Sequence, residues 1–254
     1  MKTNTNRRVT LITGANRGIG LQTAEDLGPD GVSLLLGVRN LAKGEATAER
    51  MHNEGFEVEA VHLDVTDPST HGEVYDFIDR VFGRLDVLVN NAGICLENPT
   101  ANGSDPRAGQ PSTLSSEILR ETFETNFFGM VALTQKLLPL IRRAQAGRIV
   151  NVSSIMGSLT LHSDPSSPIY HTSAFAYNTS KAALNSFTLH LAYELRHTSI
   201  KVNSAHPGWV KTEMGGENAE LEVSEGGRTS AWLATLPEDG PSGGYFHAGQ
   251  PLPW

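Results

Sequence analysis

Short apolar runs alternate with longer segments of helical period along most of this 254-residue chain, the pattern of a parallel α/β sheet. Residues 9–12 (Val-Thr-Leu-Ile) form the first run and end at a glycine-rich turn, and a helix over 19–27 follows. Residues 32–38 read as a second strand, nearly free of polar residues, as a strand covered on both faces should be. A helix over 41–54, a strand over 58–63, a helix over 68–82 and a strand over 87–89 complete three βα units, whose short connections call for right-handed crossovers. Residues 96–113 break the rhythm with Pro, Gly, Asn and Ser; they read as a surface loop or as a loop over a ligand, since they follow the carboxyl end of a strand. A long helix is expected over 116–143, bent or broken near Pro139, then a strand over 148–152, a helix over 177–196, a strand over 200–204 and a short seventh strand over 244–246. No repeat, low-complexity tract or linker divides the chain, so residues 1–254 are expected to form one domain.

Composition narrows the function classes. Twenty Lys and Arg against 28 Asp and Glu give a net charge of −8, with no basic run, which argues against nucleic acid or an anionic membrane surface as partner. Cys95 is the single cysteine, which excludes an internal disulfide and fits a reducing compartment; a cytoplasmic location is expected. No apolar stretch approaches the roughly 20 residues of a membrane span, and the N-terminus lacks a signal-peptide pattern. The nine histidines lack metal-ligand spacing, so no metal site is expected; His52, His71 and His197 fall on helical segments as solvated side chains.

The first βα turn reads Thr13-Gly14-Ala15-Asn16-Arg17-Gly18-Ile19-Gly20. Gly14 would permit the tight turn, Gly18 the close approach of a pyrophosphate, and Gly20 the packing of helix on strand, although the spacing is G-x-x-x-G-x-G. The helix start would then face the phosphates with open N–H groups. At the end of the second strand stands Gly37-Val38-Arg39-Asn40, with no acid to bind ribose hydroxyls. Arg39, with Arg17 in the turn, suits a 2′-phosphate, because a guanidinium can donate two parallel hydrogen bonds. Taken alone, Arg39 is as readily a solvated loop residue; together the two arginines favour NADP over NAD.

Further along, Asp64-Val65, Asn90-Asn91-Ala92-Gly93, Asn126, Ser154, Tyr177-Asn178-Thr179-Ser180-Lys181 and Pro207-Gly208-Trp209-Val210-Lys211-Thr212 occur in order. With the glycine-rich turn they make the chain resemble the short-chain dehydrogenases/reductases over essentially its whole length. Within that family it looks most like the NADPH-dependent carbonyl reductases. The resemblance implies a Rossmann-type, doubly wound, mostly parallel seven-stranded sheet with helices on both faces. It also implies reduction of an aldehyde, ketone or quinone by NADPH, reversible with NADP+. Tyr177 and Lys181, one helical turn apart, make chemical sense without the family name. A free phenol is a poor acid and base at neutral pH, and a nearby ammonium should lower its pKa toward a useful range. Ser154 could steady the charge developing on the substrate oxygen; its neighbour Ser153 fits the family pattern less well.

By resemblance, Asn126 would hold a water in a proton relay with Lys181. Asp64 would meet the adenine amino group, with Val65 packed nearby. Asn90, Ala92 and Gly93 would line the cofactor cleft, partly through main chain, while Val210 and Thr212 would meet the nicotinamide carboxamide. Gly14, Asn16, Arg17, Gly18, Ile19, Gly20 and Arg39 complete the expected cofactor contacts, joined by Tyr177 and Lys181. For Asp64, a place at the start of the following helix is the rival reading. The 22 residues 155–176 exceed what most of the family carries there, and they are polar and turn-rich. We expect them to favour a monomer or dimer over a tetramer and to shape one wall of the substrate site, with Met156, Trp209 and Met214 as further pocket candidates. Other carbonyl or alcohol substrates (steroids, oxoacyl thioesters, sugars) stay open at this level. A non-catalytic NADP(H) sensor is disfavoured because both Tyr177 and Lys181 are present. Cys95 reads as a small apolar filler.

Overall fold

The computed structural model describes residues 7–97 and 109–254. Its sheet is built from β1 (Val9–Thr13), β2 (Ser33–Val38), β3 (Glu57–His62), β4 (Val87–Asn90), β5 (Arg148–Val152), β6 (Lys201–Ala205), β7 (Tyr245–His247) and β8 (Gln250–Pro251). The order across the sheet is β3-β2-β1-β4-β5-β6-β7-β8. Every pairing is parallel except the last, β7 with β8. The strand order reverses around β1, which places a topological switch point between β1 and β4.

Helices cover both faces because successive side chains of a strand point to opposite sides. Leu11, Leu35, Leu88, Ile149 and Val202 pack with α3 (Pro68–Val81), α5 (Gly129–Ile141) and α7 (Phe175–Glu194). Ile12, Leu34, Leu36, Val89 and Val150 pack with α1 (Gly18–Leu27), α2 (Leu41–Asn53) and α9 (Arg228–Ala234). This is the Rossmann-type architecture. Shorter helices are α4 (Ser116–Phe123), α6 (Leu159–Ser163) and α8 (Val223–Gly226). No helix among the described residues is long and apolar enough to cross a membrane.

Three expectations need correction. The sheet has eight strands, not seven: Ala248 and Gly249, at φ 47° and 77°, turn the chain back as a two-residue hairpin. That turn needs φ > 0 at both central residues and is announced by Asn-Gly or Asp-Gly, so Ala-Gly gave it no sequence signal. The long helix over 116–143 is interrupted not at Pro139, which sits in the last turn of α5, but at a π turn over Glu124–Phe128. There the Gly129 N–H bonds the Glu124 carbonyl five residues back. Gly129 lies so close to the Val65 carbonyl that any Cβ would collide with it, which fixes where the widened turn must sit. His71, read as solvated, is 3% exposed. It shares the inner face of α3 with Val74 and Ile78, and its Nε2 bonds the Val65 carbonyl at 3.1 Å. The imidazole can lie on an apolar stripe because its polar tip finds a partner there.

Candidate active site

The site candidates converge at the carboxyl ends of β1, β4, β5 and β6. On the glycine-rich side, α1 begins at Gly18, and Arg17 before it supplies no side-chain cap. The first N–H groups of α1 are therefore open to an anion. Gly14 adopts φ +66° and donates its N–H to the Gly37 carbonyl at 2.8 Å, tying the turn to β2. A Cβ on Gly20 would stand 2.7 Å from the Gly14 carbonyl and closer still to Asn91 Nδ2, so only glycine fits there. Thr13 Oγ1 accepts the N–H groups of Asn91 and Ala92 at 2.9 Å each, and Asn91 Nδ2 donates to the Thr13 carbonyl at 2.8 Å. These bonds stitch the turn to the loop after β4. This cradle of glycines beside an uncapped helix start fits a dinucleotide pyrophosphate.

The remaining cofactor candidates fall around it unevenly. Ile19 and Val210 meet around Gly226, whose Cβ would lie 3.2 and 3.1 Å from them. Thr212 stands across from Gly18, its Cγ2 3.5 Å from where a Cβ would project. Asn16 is half-buried, its carbonyl 3.5 Å from Thr47 Oγ1. Arg39 is exposed just past β2 and forms no ion pair among the described residues, whereas exposed Arg17 is ion-paired to Glu213. Asp64 Oδ1 accepts from the Thr66 N–H and hydroxyl at 2.9 and 2.8 Å, and the cap of α3 is Asp67, which accepts from the Ser69 N–H. Val65 is buried beside it. The Asn90 side chain turns inward, donating to Thr134 Oγ1 and Asn151 Oδ1 at 2.9 Å each, so Asn90 offers the cleft only main chain.

At the other end, Tyr177 and Lys181 occupy the first turns of α7. The Lys181 ammonium is 3% exposed, donates to the Val152 carbonyl at 2.8 Å and lies 5.6 Å from the centre of the Tyr177 ring. Gly93 faces it, with a Cβ there 3.5 Å from Nζ and 3.4 Å from Asn126 Oδ1. Ser154 lies just past β5 within hydrogen-bond reach of the Tyr177 hydroxyl, and Ser153 is instead buried against the Lys181 carbonyl at 3.4 Å. Asn126, in the π turn, is fully buried: Oδ1 accepts from the Ile94 N–H and Nδ2 donates to the Ile94 carbonyl, both at 2.8 Å, and Nδ2 also donates to Ser180 Oγ at 3.0 Å. A π turn at such a place is a common mark of functional helices.

The electrostatics differ from the sequence expectation. Burial pushes the Tyr177 phenol up to about 12, with Cys95 adding to the rise and the Ser154 hydrogen bond opposing it. Burial likewise pushes Lys181 down to about 8. Loss of hydration is the largest cause of both shifts. Cys95 is half-buried and its thiol is pushed up to about 11, which leaves it protonated. Among the described residues no three His, Cys, Asp or Glu side chains are placed to hold a metal ion. A cavity of about 270 Å³ opens between Met156, Leu159, His162 and the first turns of α7, while Trp209 and Met214 are exposed.

The sequence profile of the short chain dehydrogenases matches residues 8–222. The chain belongs to that family. This short-chain dehydrogenase, an oxidoreductase by family, is 32% identical to salutaridine reductase of Papaver somniferum, over 95% of this chain and 94% of that protein. It is 30% identical to carbonyl reductase [NADPH] 1 of Sus scrofa, over 98% and 95%. Among solved structures, the NADPH-bound carbonyl reductase from chicken fatty liver superposes with a TM-score of 0.81 at 28% identity, covering 98% of this chain and 99% of that one.

Four contributors to the short-chain dehydrogenase site escaped the sequence reading. Thr13 and Asn91 were visible inside family motifs but not as the stitch between turn and loop. His206, pushed down to about 3 by burial, accepts the Ile155 N–H at Nδ1 (3.3 Å) and holds the loop that carries Ser154. Glu97 is buried, and its carboxylate accepts the N–H groups of Ala176 and Tyr177 at 2.8 Å each. Only the position of His206 immediately after a strand and before Pro-Gly offered a hint in the sequence.

Proposed function

We propose that this short-chain dehydrogenase reduces the carbonyl of an aldehyde, ketone or quinone with NADPH, with Tyr177 as the proton donor. The observation that carries the reading is the grouping of the Tyr177 and Ser154 hydroxyls with a buried Lys181 ammonium beside Gly93, at the mouth of the glycine cradle. When bound, NADPH supplies the hydride. A phenol held near 12 stays protonated at neutral pH, which is the form required to donate to a carbonyl oxygen as it becomes an alkoxide. Ser154 would donate to the same oxygen and stabilise its growing charge. Lys181, anchored on Val152, holds positive charge under the tyrosine ring and favours the phenolate left behind.

Asn126 has both amide hydrogens engaged, so a relay water would meet its main-chain carbonyl or the free lone pair of Oδ1. Asp64, Val65, Val210 and Thr212 surround the cofactor ends in this reading, and Arg39 takes the 2′-phosphate. The choice of NADPH is supported by that arginine, by the lack of an acid at the end of β2 and by the relatives named for NADPH. The insert over 155–176, anchored by its own buried Ile169, is expected to leave the enzyme a monomer or dimer, which sedimentation would check. The direct experiment follows NADPH absorbance with a panel of carbonyl compounds, using the wild type and Tyr177→Phe. Turnover that the Phe variant loses supports the assignment; equal turnover by both, or cofactor binding with no turnover on any compound, defeats it.

A further inference from the structure

We infer that Glu97 is a positioning residue for Tyr177, setting the phenol against the substrate carbonyl by capping the helix that carries it. The inference rests on the reading of Tyr177 as proton donor. Helix α7 is 20 residues long, and its N-cap residue, Ala174, has no side chain that can accept a hydrogen bond. The first N–H groups of a helix need acceptors from elsewhere, a task usually given to Ser, Thr, Asp or Asn at that position.

Here the acceptors come from 79 and 80 residues away. Glu97 Oε1 takes the Ala176 N–H and Oε2 takes the Tyr177 N–H, each at 2.8 Å. The Gly109 carbonyl takes the Phe175 N–H at 3.1 Å and the Ser173 hydroxyl at 2.8 Å. The residues on either side of 98–108 therefore cap the helix start together. Gly109 fits only as glycine, because a Cβ would stand 2.5 Å from the Ser173 carbonyl.

Glu97 is 2% exposed, and a carboxylate is costly to bury. Two helix N–H donors and the partial positive charge of a helix start offset that cost. An aspartate at position 174 would satisfy the same donors at the surface. What the buried arrangement adds is a rigid link between two walls of the site. Three residues before Glu97, Ile94 is clamped through both N–H and carbonyl by Asn126. Three residues before that, Asn91 is bonded to Thr13. Residues 91–97 thus run as a brace from the glycine cradle, past Asn126 and Gly93, to the main chain of Tyr177. A small displacement of a reacting group costs about 10²-fold in rate, so loosening this brace should act on the chemical step and leave cofactor binding alone.

The test compares wild type, Glu97→Gln and Glu97→Ala by steady-state kinetics on the best carbonyl of the panel, by NADPH titration and by amide hydrogen exchange. We expect kcat to fall about 100-fold in Glu97→Ala, with KM and the NADPH Kd within threefold of wild type. Glu97→Gln retains one acceptor oxygen and should recover about tenfold of the loss. In both variants the amides of Ala176 and Tyr177 should exchange faster, while Lys181 and later residues of α7 stay protected. An unchanged kcat in Glu97→Ala, a parallel loss of kcat and NADPH binding, or unchanged exchange at Ala176 and Tyr177 would each overturn the inference. If Glu97→Ala does not fold, Glu97→Gln is held to the same exchange criterion. Inactivity of the wild type on every carbonyl would defeat the role of Tyr177, whereas the exchange measurement still decides whether Glu97 caps the helix.

Discussion

Lys181→Met should make the protein more stable at neutral pH while removing its activity. The ammonium is almost wholly buried, and the Val152 carbonyl is its one hydrogen-bond acceptor within the described residues. Burial lowers its pKa from 10.5 to about 8, which at 1.36 kcal/mol per pH unit corresponds to about 3 kcal/mol of stability withheld from the fold. The sign follows from proton counting. Between pH 8 and 10.5 the unfolded lysine binds more proton than the folded one, so wild-type stability rises with pH through that window, and the full penalty applies below pH 8. Methionine keeps an unbranched side chain of similar length and removes the penalty, at the loss of one hydrogen bond worth about 1 kcal/mol. The net gain of about 2 kcal/mol should raise the melting temperature of the cofactor-free protein by about 4–8 °C at pH 7. Near pH 10 most of the penalty is gone from wild type, and the two proteins should melt together. Thermal unfolding followed by circular dichroism at the two pH values reads both numbers, and kcat for NADPH oxidation should fall at least about 10²-fold. A variant that melts below wild type at pH 7 would show instead that Lys181 is a net stabilising contact.

Other perturbations separate the two ends of the site. Arg39→Ala should weaken NADPH binding by about 10–100-fold, the range of charge-assisted hydrogen bonds, and leave NADH binding within twofold; calorimetric titration showing equal losses would remove Arg39 from the 2′-phosphate. Glu213→Gln frees Arg17 and should tighten NADPH severalfold at low salt, a gain that shrinks as salt screens it; an unchanged Kd places Arg17 away from the phosphates. Gly20→Ala forces a Cβ against the Gly14 carbonyl and Asn91 and should lower stability by about 1–3 kcal/mol, together with NADPH affinity; a wild-type melting curve would contradict the packing. Ser154→Ala should lower kcat about 10²–10³-fold with NADPH binding intact, and Ser153→Ala should leave kcat near wild type if the two hydroxyls divide as described.

Strands β1, β2, β4 and β5 were legible as short, largely apolar runs that are buried throughout, whereas β3, at the sheet edge, and β6 carry polar residues and stood out by their alternation with helical segments. The tail of the sheet was less so: β8 is two residues long and hangs on a turn with alanine at positive φ. Helices α8 and α9 were missed because they are short, four and seven residues. The break in the long helix was expected at proline, yet it sits where Gly129 meets Val65 and Asn126 turns to Ile94, contacts that local periodicity does not encode. Tyr177, Lys181, Ser154 and the glycine turn stood out because chemistry and spacing coincide in each. The charges at the site were misjudged for the same reason that Glu97 was overlooked. Both depend on burial, and burial arises from contacts between residues far apart in the chain, as with Glu97 and Tyr177. A glutamate in an aperiodic segment is ordinarily a solvated residue, so its residue type pointed away from its place.

In the proposed reaction a hydride passes from NADPH to a carbonyl while Tyr177 supplies the proton. NADPH deuterated on the transferring face of the nicotinamide tests it in a single turnover, with mass spectrometry of the product alcohol. One carbon-bound deuterium per alcohol is expected for wild type and, for Tyr177→Phe, NADPH bound with wild-type affinity but alcohol formed at least about 10²-fold more slowly. Alcohol without deuterium, or Tyr177→Phe reacting at the wild-type rate, would contradict it.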